Sequence, residues 1–387
     1  MKKIWLSKRE CTGCGACENI CPKRAITMKE DDSGFSYPEI NSNCIDCNVC
    51  EKVCRGRGHE AKEHQKTPIV YAAWSNCDAI RYNSTSGGLF SEIAKVILAD
   101  GGYAVGAAYG ANMLVSHVMI DDESDLDRIR QSKYVQSDTG SIYKAVLEKL
   151  NDNKKVLFCG APCQVAALYA FLKRDDDNLI TIDFICRGVN SPKAYAAWLR
   201  EIEEEEKSKA VKVWFKYKEG GWKTSPKRTR IDFEDGHYLV TDGEKNLFMQ
   251  GYLSSNLYMR PSCGSCEFKG VPRQGDITLA DFWKIDETLD DDKGTSMVLL
   301  NSRKGQYLFE KAKRNLSCHE RKFEEILEGN IYFGESVKVA AAGENFLRDL
   351  DNGKFSDVIA QYMCPESAMT RIVKKIKKGI CFLRKLR

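Results

Sequence analysis

At 387 residues and 43% apolar composition, the chain has room for a real core and for more than one domain. A formal charge of only +4, from 59 basic and 55 acidic residues, argues against nucleic acid as a partner. No apolar run approaches the ~18 residues that span a bilayer, and Met1-Lys2-Lys3-Ile4-Trp5-Leu6 lacks the apolar region of an export signal, so a cytoplasmic setting is expected. In that setting 17 cysteines point to metal ligands or reduced thiols rather than disulfides.

Cys11, Cys14, Cys17 and Cys21, with Pro22 after them, repeat as Cys44, Cys47, Cys50 and Cys54. Both quartets have the spacing C-x2-C-x2-C-x3-C, in which three close thiolates wrap one iron–sulfur cube and the fourth reaches the other. The expected sets are therefore Cys11, Cys14, Cys17 and Cys54 for cluster one, and Cys44, Cys47, Cys50 and Cys21 for cluster two. Structural zinc is usually met by pairs of CxxC arms, which fit this tandem arrangement less well. Ala25 to Met28 and Phe35 to Tyr37 flank a turn at Asp31–Gly34 and read as a hairpin. Roughly the first sixty residues resemble bacterial-type ferredoxins. Arg55 stands where the repeat would place a second proline.

The polar stretch from Arg55 to Lys66, with His59 and His64, reads as a linker. From Ile69 onward short apolar strands alternate with amphipathic helices. Strands are expected at Ile69–Trp74, Tyr103–Tyr109, Val115–Ile120, Val156–Cys159 and Leu179–Ile185, with helices at Leu89–Leu98, Ser141–Leu150 and Val165–Leu172. That order suggests a parallel α/β region. A charged helix follows Pro192. Antiparallel strands are expected at Val211–Lys216, Arg228–Phe233 and Tyr238–Thr241, and further strands at Asp276–Ala280 and Met297–Leu300. A helix at Lys304–Arg314 opens a stretch that reads as helical to the end. The remaining histidines, His117, His237 and His319, read as structural, and no nucleophilic catalytic set is evident.

Two further groups of residues stand out. Ser84, Thr85, Ser86, Gly87 and Gly88 precede a helix, where hydroxyls and free amides suit an anion such as a phosphate, although an ordinary helix cap explains them equally well. Ser132-Lys133-Tyr134-Val135-Gln136-Ser137 and Lys293-Gly294-Thr295-Ser296 are similar loops, and three of them favour a phosphate-bearing ligand. The second group is Cys163 and Cys186 beside strand ends, with the pair Cys263 and Cys266 in a later loop. Cysteines at neighbouring strand ends can face one crevice. Their spacing leaves zinc, a third iron–sulfur cluster and buried thiols all open.

These motifs occur in order with Gly160-Ala161-Pro162-Cys163-Gln164, Ile185-Cys186-Arg187-Gly188 and Gly275 to Trp283. The series, over about residues 69 to 301, resembles the beta subunit of coenzyme F420 hydrogenases and dehydrogenases, in the ferredoxin-fused form of polysaccharide-synthesis clusters. The resemblance implies an FAD, a third [4Fe–4S] cluster on Cys163, Cys186, Cys263 and Cys266, and hydride exchange with a reduced deazaflavin. It places Ser84, Thr85, Ser86, Gly87, Gly88, Lys133, Tyr134, Gln136, Ser137 and Thr295 in the flavin pocket. Arg187 stands where histidine is common, and Lys284 where glycine often follows the Asp281-Phe282-Trp283 motif.

The expected architecture is mixed α/β: a ferredoxin domain over 1–60, a linker over 61–68, a flavin- and cluster-binding body in two parts, 69–150 and 151–330, and a helical tail over 331–387. The expected function is an iron–sulfur flavoprotein oxidoreductase, with a non-catalytic electron-delivery subunit as the competing reading. The partner is a redox protein or a deazaflavin or ferredoxin donor. The basic stretch 371–387, with apolar residues on one helix face, is read either as a solvated tail or as an anchor on the inner face of the membrane.

Overall fold

The computed structural model describes residues 6–57 and 64–363. The basic stretch 371–387 and the centre of the expected linker lie outside those residues.

The N-terminal module is a small two-fold repeat. Strands β1 (Ile26–Glu30) and β2 (Ser36–Ile40) pair antiparallel, with Ile26 opposite Ile40 and Glu30 opposite Ser36. The turn between them is held by Asp31, whose Oδ1 accepts from the amides of Ser33 at 3.0 Å and Phe35 at 3.3 Å. A short helix begins inside each cysteine quartet, at Ala16–Ile20 and at Val49–Lys52. Each follows a residue in left-handed backbone, Gly15 (φ 73°) and Asn48 (φ 58°).

The body is built on an eight-stranded mixed sheet. Its strands are β3 (Ile69–Ser75), β4 (Tyr103–Tyr109), β5 (Val115–Ile120), β6 (Val156–Cys159), β7 (Leu179–Phe184), β11 (Ile277–Asp281), β12 (Ser296–Leu300) and β13 (Leu316–Arg321), while β8 (Ala210–Phe215), β9 (Thr229–Phe233) and β10 (Tyr238–Thr241) form a separate sheet. The spatial order is β13-β3-β12-β11-β7-β6-β4-β5. The parallel region expected from the sequence is the centre, β11, β7, β6 and β4, and antiparallel strands extend it on both sides.

Alternation along the central strands faces two cores. Leu157, Ile180 and Ile182 point to the core under helices Leu89–Ala99 and Arg303–Ala312. Val156, Phe158 and Leu179 point to the core under helices Ile142–Asn151 and Pro162–Leu172. Burial on both faces explains why these strands read as continuous apolar runs.

A third core joins the three-stranded sheet β10-β9-β8 to helix Pro192–Glu206. Trp198 and Phe248 lie there with ring centroids 5.1 Å apart. Helices Gly343–Asp349 and Phe355–Tyr362 bury Phe346, Phe355 and Ile359 in the same core, so the described part of the expected tail is a packed element.

The fold departs from the sequence expectation in three places. Leu316–Arg321 is a strand, antiparallel to β3, inside the stretch read as helical. It is an edge strand whose His319 and Glu320 face solvent, so it lacks the apolar run that marks the inner strands. The sheet also mixes the two expected halves of the body, since β3 lies between β13 and β12. Finally, His64 is not a free linker residue: its Nδ1 lies 2.9 Å from the Arg273 carbonyl and its ring is buried against Asp276.

The ferredoxin module is docked on the body. Ala16 and Val53 are buried in the same core as Tyr143, Val165 and Leu168. Asn19 Nδ2 donates to the Gly140 carbonyl at 2.6 Å, Arg55 Nε to that of Ala166 at 3.1 Å, and Ser191 Oγ to that of Ser33 at 2.6 Å. Among the described residues no helix is long and apolar enough to cross a membrane.

Candidate functional site

All eight cysteines of the two quartets line one cavity in the ferredoxin module, together with Ala16, Pro22, Ile26, Met28, Pro38, Ile40, Val49 and other residues. Cys17 lies within electrostatic reach of Cys14, Cys11 and Cys54, and Cys50 within reach of Cys21. These neighbours follow the crossed pairing expected from the spacing. Cys11 is buried, whereas Cys47 is exposed, so the two ends of the module differ in access to solvent.

The four body cysteines come from three distant segments and line a second cavity. Cys163 sits in the first turn of helix Pro162–Leu172, Cys186 follows β7, and Cys263 and Cys266 belong to the turn at Pro261–Ser265 and its exit. Short contacts fix the loops. Lys269 Nζ donates to the Cys186 carbonyl at 2.6 Å and the Tyr332 carbonyl at 2.9 Å, and the Cys266 amide donates to Ser336 Oγ at 2.9 Å.

Arg187, next to Cys186, is clamped between the rings of Tyr252 (5.2 Å) and Tyr332 (4.8 Å) and donates to Asn256 Oδ1 at 2.7 Å. Lys284 adopts left-handed backbone with φ 61°, which accounts for glycine being frequent there.

The donors fit iron–sulfur groups. Burial raises the Cys17 and Cys163 thiols well above their ordinary value, with neighbouring cysteines adding to the rise. Burial likewise pushes Cys186 up to about 12 and Cys263 up to about 11. Thiols that resist ionising alone, crowded around one void, suit a positively charged iron core whose field inverts that preference. Among the described residues no three His, Cys, Asp or Glu side chains converge as ligands of a single ion would. In a cubane the thiolates ring the cluster instead.

The two cavities are neighbours. Cys14 contributes to the electrostatic field at Cys163. Tyr143, fully buried, bridges the sites by donating to the Cys14 carbonyl at 2.9 Å and the Gln164 carbonyl at 3.3 Å. Thr139 Oγ1 donates to the same Cys14 carbonyl at 3.1 Å.

The residues expected around a flavin divide into two places. Thr85 Oγ1 accepts from the Ser132 amide at 2.8 Å, Ser86 Oγ donates to the Thr295 carbonyl at 2.8 Å, and the Gly87 amide donates to Ser296 Oγ at 2.9 Å, so the three loops do meet. Lys218 Nζ binds them further through the carbonyls of Arg81, Ser86 and Lys293. Ser84 Oγ donates to the Ile80 carbonyl at 2.7 Å, and Gly88 (φ 90°) caps helix Leu89–Ala99. Several donors offered to a diphosphate are thus engaged within the protein. The buried Ser91 hydroxyl, in the first turn of that helix, has no partner among the described residues and leaves room for an anionic group there.

Lys133, with Nζ donating to the Arg130 carbonyl at 2.7 Å, and Tyr134, packed on Phe215 and Tyr252, lie on the adjoining loop. Gln136 and Ser137 face elsewhere. Gln136 Nε2 donates to the Thr12 carbonyl at 3.2 Å, and Ser137 Oγ accepts from Gln164 Nε2 at 3.1 Å, beside the cluster cavities.

Sequence reasoning did not single out Arg260, Tyr143 or Lys269. Arg260 lies next to the Pro261-Ser262-Cys263 motif, but nothing in the spacing says that its side chain reaches Cys11, 249 residues away.

One glycine tests the geometry directly. Gly188 has φ 146°, and a Cβ there would collide with the Met259 methyl and press on Cys263 Cβ at 3.1 Å. Gly188→Ala is expected to strain the loop by roughly 1–3 kcal/mol and to lower iron retention at the body site while the ferredoxin signals persist. Anaerobic iron analysis of both proteins checks this; full iron in the variant would show that the loop relaxes without cost.

Comparison with known proteins agrees with this division of the chain. Residues 10–77 match the 4Fe-4S dicluster domain, and residues 153–326 match the family described as the C terminus of the coenzyme F420 hydrogenase/dehydrogenase beta subunit. A component of the F(420)H(2) dehydrogenase of Methanosarcina mazei is 26% identical over 183 residues, which are 44% of this chain and 51% of that protein, so the match spans about half of the relative's length. A chain of the F420-reducing [NiFe] hydrogenase complex of Methanosarcina barkeri, solved as a xenon derivative, aligns with a TM-score of 0.46 at 18% identity, covering 78% of this chain and 94% of that one. The chain therefore carries a coenzyme F420 hydrogenase/dehydrogenase beta-subunit domain behind a 4Fe-4S dicluster domain.

Proposed function

We propose that the chain is an iron–sulfur oxidoreductase subunit that moves electrons between a surface cluster, held by Cys21, Cys44, Cys47 and Cys50, and a redox site in its α/β body. The observation that carries this reading is the shared cavity of Cys163, Cys186, Cys263 and Cys266 beside Cys14. That adjacency would extend the ferredoxin pair, with Cys11, Cys14, Cys17 and Cys54 in the middle, into a chain of three [4Fe–4S] clusters. When bound, an FAD would convert a hydride, donated by a reduced deazaflavin of the F420 type, into single electrons that iron–sulfur clusters can carry.

The residues of the chain have simpler tasks. The cysteines hold iron, Tyr143 and Thr139 fix the Cys14 loop between the sites, and the docked module keeps water away from the inner thiols. The exposed Cys47 marks the end where a partner redox protein would exchange electrons. The loops of Thr85, Ser86, Ser132 and Thr295, with the orphan Ser91 hydroxyl, are where the flavin would be held.

One observation favours the second reading, an electron-delivery subunit without its own flavin: the Ser84, Ser86 and Gly87 donors are already engaged. Anaerobic purification with iron, sulfide and flavin measured on one sample separates them. About one FAD released per chain supports the flavoprotein. Iron and sulfide without flavin support the delivery subunit, and colourless protein would sink both.

A further inference from the structure

Arg260 is 1% exposed, and its side chain leaves the loop of the body cluster to enter the loop of cluster one. Its backbone belongs to the first site: the Arg260 amide donates to the Val189 carbonyl at 2.9 Å, and the Cys263 amide donates to the Arg260 carbonyl at 3.0 Å. Its guanidinium belongs to the second. Nε donates to the Cys11 carbonyl at 2.9 Å, Nη2 to the Ser36 carbonyl at 3.1 Å and to Cys11 Sγ at 3.7 Å, and Nη1 to Gln136 Oε1 at 2.8 Å. The Tyr37 and Phe35 rings cover it at 4.4 and 5.2 Å. Among the described residues none of these hydrogen-bond partners is a carboxylate, so the positive charge is buried without a counter-ion.

A charge placed this way acts on both sites. Burial raises the Cys14 and Cys263 thiols, and Arg260 opposes the rise at each, favouring negative charge there. A reduced cubane carries one more negative charge than its oxidised form. A nearby guanidinium and an N–H···S contact therefore stabilise the reduced state, the more so in a low-dielectric interior.

We propose that Arg260 sets the reduction potentials of cluster one and of the body cluster together, holding them in step for one-electron exchange. The proposal rests on the three-cluster reading above and adds a named residue and a sign to it. Cluster two lies at the other end of the module and serves as an internal standard.

The test is an EPR-monitored redox titration of the full-length protein, with the body signal assigned as the one missing from Cys263→Ser. In Arg260→Gln the reduced-to-oxidised ratio of cluster one at fixed potential should fall roughly tenfold, a shift of about 59 mV to more negative potential for a one-electron couple. The body cluster should move in the same direction and cluster two should stay. Arg260→Lys keeps the charge but loses the fork and the sulfur contact, so its shift should be smaller, and it remains the measurable variant if Arg260→Gln sheds iron. Unmoved potentials in a variant that retains its iron, or an equal shift of all three clusters, would overturn the proposal. Parent protein with no body signal would instead overturn the three-cluster reading.

Discussion

Replacing Cys263 by serine is expected to take about four iron atoms from a parent that holds about twelve, four for each of three cubanes. Cys263 is the body thiol nearest in sequence to Arg260, and it lines the cavity shared with Cys163, Cys186 and Cys266. Serine preserves the size of the side chain but offers a hard oxygen where iron–sulfur chemistry wants a soft thiolate. The eight ferredoxin cysteines line a different cavity and belong to a different segment, so their spectrum should survive. Iron and sulfide analysis beside EPR of the reduced protein gives the answer. Iron near eight in both parent and variant would mean that the body cysteines hold no cluster.

The largest stability loss is expected from Asp183→Ala. Asp183 is fully buried at the end of β7. It accepts from the amides of Gln274 at 3.2 Å and Gly275 at 3.1 Å and from Thr278 Oγ1 at 2.5 Å, and it faces Arg273 Nη2 at 3.2 Å. Arg273 is itself buried and also holds the Phe184 and Phe268 carbonyls. Removing the carboxylate leaves a buried cation and three donors without an acceptor, which costs about 3–5 kcal/mol.

The same network ties the segment after Cys266 to the strand before Cys186, so loss of body iron should accompany the loss of stability. Anaerobic urea unfolding followed by tryptophan fluorescence measures it. Adding Arg273→Met should recover part of the loss, because the unpaired charge is then gone. A midpoint unchanged in Asp183→Ala would show that water replaces the carboxylate at no cost.

How much of this molecule could be read from its residues follows from the distance over which each feature is encoded. The ferredoxin quartets are local: thiolates three residues apart bind one cluster because the loop between them is short, so their spacing alone identifies the chemistry. The central strands are local too. Tyr103–Tyr109, Val115–Ile120 and Val156–Cys159 have the same ends in sequence and structure, because apolar runs buried on both faces stop where polar turns begin. The motif series likewise pointed to the family domain that the comparison finds over residues 153–326.

The remaining features depended on contacts between residues far apart in the chain. Leu316–Arg321 carries too few apolar residues to look like a strand, and only the open edge of β3 makes it one. Gln136 reads like its neighbours Lys133 and Tyr134, yet it turns to the Thr12 carbonyl because the ferredoxin module docks against that loop. Spacing also left the fate of Cys163, Cys186, Cys263 and Cys266 open. They share a cavity only because β7, a helix N-terminus and the turn at Pro261–Ser265 are packed side by side. The sequence by itself determined which residues can bind iron and which segments form the central sheet. Tertiary packing decided which thiols stand together and which arginine lies between them, because those placements are set by burial and hydrogen bonds across hundreds of residues, and no local period records them.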